Sequence, residues 1–180
     1  EKGVRAGKNG EPALDQNALG EAWADLGAEF NASAGTDRAS YSLRTLSDPA
    51  LLAKVVALAS REIGEPAFPD DVWQRERERI NASLKEANTK PATIAGRAFA
   101  QSVYGSHPYG QEVTEATLAR IDTAAMRQRY QQFIVPCRAK LSIVGAVTRA
   151  EAEAMASALL SRLPGPEACT PLPAVAPVAA

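Results

Sequence analysis

Between Ala28 and Leu46 the apolar residues change period. Phe30, Ala32 and Ala34 alternate, Gly35-Thr36-Asp37 interrupts, and Ala39, Tyr41, Leu43 and Thr45 alternate again. Alternation on both sides of a Gly/Asp turn is the signature of a β-hairpin with one covered face. The flanking segments obey another rule. Ala18, Leu19, Ala22, Trp23 and Leu26 recur at helical spacing over Asp15 to Leu26, and an apolar stripe runs from Leu51 to Ile63. A period of two set between two periods near 3.6 excludes a pure helical bundle and a pure β-sandwich. The covered face of the hairpin needs helices against it, so the class is α+β, a mostly antiparallel sheet with helices packed on one face.

Local signals place the other elements. Gly27 stops the first helix, and Ser47-Asp48-Pro49 supplies a cap and a first-turn proline for the second, which ends at Gly64-Glu65-Pro66. Asp70 or Asp71 caps a third helix running to about Ala87, before Pro91 interrupts it. A further helix is predicted over Thr93 to Val103, with Ile94, Ala98 and Phe99 inward, then a loop at Gly105-Ser-His-Pro-Tyr-Gly110. Thr123 to Phe133 reads as a helix and Ala139 to Val147 as a strand. Thr148-Arg-Ala-Glu151 is a capping box opening a last helix to Leu160. The first ten residues, with Gly3, Gly7, Asn9 and Gly10, read as a loop or as the end of a helix that starts before residue 1. From Pro164 five prolines stand among alanines and valines, the composition of a linker or tail. The expected division is a domain over residues 1–163 and a tail over 164–180.

Bulk composition narrows function by exclusion. Twenty Lys and Arg face 21 Asp and Glu, a formal net charge of -1, so no global field holds a nucleic acid or an acidic membrane. No window has the roughly 18 apolar residues of a membrane span. Cys137 and Cys169 are the two cysteines, and the second lies in the proline-rich stretch, where a fixed partner geometry is hard to arrange. A disulfide is therefore not expected. There is no phosphate-binding G-x-x-x-x-G-K-[ST] loop, no G-x-G-x-x-G and no G-x-S-x-G elbow.

Three features could carry chemistry. The run Trp73-Gln-Arg-Glu-Arg-Glu-Arg-Ile80 presents Glu76 and Glu78, although alternating charge on a helix is ordinarily a solvated face of i,i+3 and i,i+4 pairs. His107, the one histidine, reads as a loop residue bonded locally, and Cys137 as a small buried residue and not a nucleophile. If the strand Glu29 to Ser33 lies at a sheet edge, its backbone can bind an extended peptide by strand addition; an internal, structural pair is the other reading.

Five segments, in order, resemble the pitrilysin (M16) family of zinc metallopeptidases. Lys2-Gly3 resembles the Lys-Gly that follows the family's H-x-x-E-H helix. Leu26-Gly-Ala-Glu-Phe-Asn-Ala-Ser33 with Asp37-Arg-Ala-Ser-Tyr41 is similar to its "G-G/A-x-x-N-A-x-T … D-x-T-x-Y" hairpin, with Ser33 in place of threonine. Arg75-Glu-Arg-Glu-Arg79 resembles its "E-R-x-x-V" helix, His107-Pro-Tyr-Gly110 its "H-P-Y-G" loop, and Leu141-Ser-Ile-Val-Gly145 its late "V-G-D/N" strand.

The resemblance covers residues 1–163 and implies an M16 metallohydrolase-like α/β sandwich, matching the first of two such domains, with its first strands and helix before residue 1. It implies zinc as cofactor, Glu76 as third zinc ligand by register, and Asn31, Ala32 and Ser33 as the edge that holds substrate backbone. The H-x-x-E-H motif is absent from these 180 residues. Two functions follow: a portion of a zinc peptidase that cleaves peptide bonds with substrate bound as an added strand, or a non-catalytic subunit that binds peptide or a catalytic partner without metal. The implied partners are a peptide or unfolded protein, a second M16 domain or subunit, and a dimer; bacterial relatives point to the periplasm.

Overall fold

The computed structural model describes residues 2–7, 10–165, 169, 171–172 and 174–178. The chain forms two compact units, one of residues 1–69 and 127–169, the other of residues 70–126 and 170–180.

The first unit opens on Val4, which the sequence reading leaves in a loop. Val4 forms β-bridges with Leu14 and Pro66 and is 1% exposed, because its neighbours Leu14 and Pro66 return to cover it. Helix α1 (Gln16–Asp25) starts where Asp15 accepts bonds from Asn17 N and Ala18 N at 2.9 Å, and ends before Gly27, whose φ of +56° suits glycine. Strands β1 (Glu29–Ala34) and β2 (Ala39–Arg44) pair antiparallel, with Phe30 opposite Leu43 and Ala32 opposite Tyr41. Helix α2 (Pro49–Gly64) is capped by Asp48, which accepts from Leu51 N at 2.9 Å. Its Val55 and Ala59 are fully buried with Leu19 and Trp23, while Phe30 and Leu43 of the hairpin pack against that cluster. Each buried valine or leucine contributes about 1.5–3 kcal/mol, so this seam holds the hairpin on the helices.

The second unit contains α3 (Asp70–Ala87), α4 (Pro91–Tyr104) and the short α5 (Glu115–Ala119), which Thr114 caps. Asp70 and Asp71 stand inside the first turn of α3, where acidic side chains oppose the helix dipole. Pro91 occupies the first turn of α4, which needs no donor there. The expected inward set on α4 is wrong: Ile94 is 55% and Phe99 69% exposed. The more covered face is Thr93, Arg97, Ala100 and Tyr104, because Arg97 turns to pair with Glu112 at 3.0 Å and Gly110 packs tightly on Tyr104.

Helix α6 (Thr123–Phe133) has the limits expected, and α7 (Arg149–Leu160) opens on the Thr148/Glu151 capping box and packs on α2. Two expectations fail nearby. Residues 139–147 form no strand among the described residues: no neighbouring strand pairs with them, and Leu141 and Val144 stay 46% and 99% exposed. An unpaired strand has no ladder bonds to offset its ordering, whatever its propensity. Cys137 and Cys169 do form a disulfide, with Cα atoms 5.5 Å apart. The turn after α7 brings Gly165 against Val135 and Pro136, the residues that precede Cys137. Among the described residues no helix is long and apolar enough to cross a membrane.

Candidate functional site

Strand β1 is positioned by aromatic packing. Phe30 lies between Trp23 (centroids 5.2 Å apart, rings within 3° of parallel) and Tyr41 (5.9 Å). Such pairs add about 0.5–1.5 kcal/mol each beyond the area they bury. The stack is tied down at both ends. Trp23 Nε1 donates to Glu62 at 2.7 Å, and Tyr130 donates to the carbonyl of Ile63 at 2.6 Å. With the Tyr130 proton so used, Tyr41 is the donor in the 2.8 Å bond between the two hydroxyls. Sequence reasoning placed Trp23, Phe30 and Tyr41 but missed Glu62 and Tyr130; these partners are 39 and 89 residues away in the chain, and no local pattern marks them.

This anchoring leaves the three residues assigned to substrate exposed. Strand alternation sends Ala32 to the face of Phe30 and turns Asn31 and Ser33, opposite Ser42 and Ser40, to the other. Among the described residues the sheet has two strands, so the side of β1 away from β2 has no strand on it. What the site offers is extended backbone with N–H and C=O groups along an edge.

Glu76 sits on α3 in the second unit. It is half-buried and accepts from Arg79 Nε and Nη2 at 2.9 and 2.7 Å, an i,i+3 pair. Arg75 pairs with Asp71 at 3.1 Å, Arg77 bonds Gln74, and Glu78 is exposed. The run is the solvated ladder that charge alternation predicts. Among the described residues no three His, Cys, Asp or Glu side chains are grouped to hold a metal. A zinc site needs at least three such ligands. Glu76 pairs with a guanidinium here, and the described residues do not by themselves supply a zinc site.

His107 caps the 3-10 turn Pro108–Gly110, its Nδ1 accepting from Tyr109 N at 3.1 Å, the local role expected of it. Cys137 is half-buried and spent in the disulfide, which leaves it no thiol for nucleophilic chemistry. Two carboxylates are shifted. The hydrogen bond from Arg162 holds the Glu11 carboxyl below its usual range, and the backbone of Thr148 does the same for Glu151. Both effects stabilise the anion in a structural role, a helix cap in the second case.

Comparison with known proteins places these elements. Residues 9–117 match the profile of Insulinase (Peptidase family M16). A search of curated proteins finds no match. Among solved structures, the peptidase M16 inactive domain from Pseudomonas fluorescens aligns over 97% of this chain with a TM-score of 0.84 and 25% identity. A protease from Helicobacter pylori aligns over 90% (TM-score 0.72, 19% identity), and the first half of the periplasmic protease PqqL from Escherichia coli over 89% (0.66, 20%). The chain spans 41%, 39% and 35% of those three chains.

Proposed function

This chain belongs to the insulinase family, peptidase family M16, and from that membership we propose that it is a peptide-binding portion of an M16 protein, holding extended chains along β1. The observation that carries this reading is the exposed, singly paired strand Glu29–Ala34, braced from beneath by Trp23 and Tyr41. A peptide added as a further strand satisfies backbone groups at that edge, and affinity then comes from main-chain bonds with little dependence on sequence. Asn31 and Ser33 present polar side chains beside such a guest, and Ala32 is small enough for close approach.

The reading has two forms, and they differ in metal. In the catalytic form Glu76 is the third zinc ligand and the remaining ligands come from elsewhere in the protein. In the non-catalytic form this portion binds peptide, or a catalytic partner, with no metal. The pairing of Glu76 with Arg79 and the likeness to a domain that is itself inactive favour the second form. No hydrolytic step is assigned to these residues. A second M16 domain or subunit completes the protein, in keeping with matched structures more than twice as long. The Cys137–Cys169 disulfide supports an oxidising compartment such as the periplasm.

Trp23, stacked on Phe30, is a built-in reporter of β1. Titration with an unstructured peptide lacking tryptophan gives a saturable change in its fluorescence. A peptide N-methylated at every amide, which has no N–H left to donate along either edge, gives none. Equal response to both peptides refutes strand addition.

A further inference from the structure

Four separated stretches of the first unit converge on a cavity of about 630 Å³. Arg5 comes from the segment bridged to Pro66, Glu65 and Phe68 from the link after α2, Arg127 and Tyr130 from α6, and Arg162 from the turn after α7. Its size is that of a small-ligand site.

The charges around it are uneven. Arg162 bonds Glu11 at 2.6 and 2.8 Å and Glu65 at 3.1 Å, and Arg61 Nε lies 3.7 Å from Glu65 while its Nη2 donates to the carbonyls of Arg5 and Pro12. Two guanidiniums and two carboxylates therefore close on one another. Arg5 adds positive charge to this set, and among the described residues no carboxylate pairs with its exposed side chain; Arg127, whose Nη2 donates to the Phe68 carbonyl, also lines the cavity. The lining is also apolar in part, through Phe68, Leu163 and Pro164.

The backbone at the rim is strained. Phe68 has φ of +47°, in the left-handed region that a bulky residue seldom adopts. Its carbonyl is held by Arg127 at 3.2 Å and its ring stands edge-on to Tyr130 at 5.6 Å. Such residues recur at ligand sites, where surrounding contacts over-determine them.

We propose that this cavity binds the free C-terminal carboxylate of a short peptide whose last side chain is apolar. Arg5 and Arg127 meet the carboxylate, since a guanidinium matches its planar geometry with two parallel bonds. Phe68 and Leu163 receive the apolar side chain. The carboxylate specificity rests on the charges of the cavity alone; the choice of a peptide rests on the peptide-binding reading above.

The test is calorimetry on the intact protein with N-acetyl-Ala-Phe as free acid, the same dipeptide as amide, and phenylacetate. The free acid binds saturably, and the amide binds about tenfold more weakly or less, the loss of one charge-assisted pair. Arg5→Gln lowers affinity for the acid and not for the amide, with an unchanged thermal midpoint, because the Arg5 side chain is exposed; Arg127→Gln adds to the loss. Equal binding of acid and amide, or an Arg5→Gln protein that keeps full affinity, overturns the carboxylate site. Phenylacetate binding as tightly as the peptide acid overturns the peptide assignment. The peptides that test β1, prepared as C-terminal amides, offer the cavity no carboxylate, so the two readings fail separately.

Discussion

Replacing both Cys137 and Cys169 with serine removes the covalent link that holds the chain after α7 to the turn Pro136–Arg138. The native contacts change little, because serine is close to cysteine in volume; the effect falls on the unfolded chain, which gains the freedom of an open loop. With the cysteines 32 positions apart in sequence, the loop-closure relation gives an entropy of about 12 cal/mol/K, hence about 3.7 kcal/mol at ~25 °C. For a chain of 180 residues that loss lowers the thermal midpoint by about 7–15 °C. The two tryptophans localise the effect, since Trp23 belongs to the first unit and Trp73 to the second. Urea unfolding of a Trp73→Phe background, followed by Trp23 fluorescence, is the assay, run with and without reductant. Reductant brings the parent to the stability of the double-serine protein and leaves the latter unchanged. Two titratable thiols in the unreduced, native protein, or a double-serine variant as stable as the oxidised parent, refute the reasoning.

Tyr130→Phe deletes the hydroxyl shared between Tyr41 and the Ile63 carbonyl, and the stability measured in urea falls by about 1–2 kcal/mol. Tyr41→Phe in the same background costs less than it does alone, since the partner hydroxyl has gone. These 180 residues take up no stoichiometric zinc in dialysis and metal analysis, and Glu76→Gln leaves the zinc content unchanged; tight one-to-one zinc lost in Glu76→Gln contradicts the ladder described for α3. Glu11 is held below its usual pKa by the hydrogen bond from Arg162, so its stabilisation is present above the unfolded carboxylate value and is lost as pH falls through the lowered folded value. The stability difference between parent and Glu11→Gln is accordingly largest near neutral pH and closes in acid; a gap that widens in acid reverses the sign and refutes the pairing.

Much of the local structure was legible because its causes are local. Asp48-Pro49, the Thr148/Glu151 box and Gly27 set helix ends through bonds spanning three or four residues, and they stand where expected. The hairpin was equally readable, since its alternation and its turn lie within one stretch. The α4 face was misread because its stripe is ambiguous: Ile94 and Phe99 fit one face and Thr93, Arg97 and Ala100 another, and the Arg97–Glu112 pair lies outside any helical pattern. Residues 139–147 carry strand propensity but no partner, and propensity alone does not make a strand. Of the candidate site, Asn31, Ala32 and Ser33 were found on the exposed strand assigned to them, whereas the Trp23, Tyr41 and Tyr130 framework beneath them emerged only from the fold.

What this sequence determined by itself is therefore its α+β class, its hairpin, its capped helices and the family signature those elements carry. The tertiary structure alone decided which distant groups meet. It set Cys169 beside Cys137, Arg162 between Glu11 and Glu65, and Tyr130 under the hairpin. The reason is physical: capping and periodicity act over a few residues and are written in neighbours, while disulfides, ion pairs and buried hydroxyls depend on distances that exist only after the helices have packed.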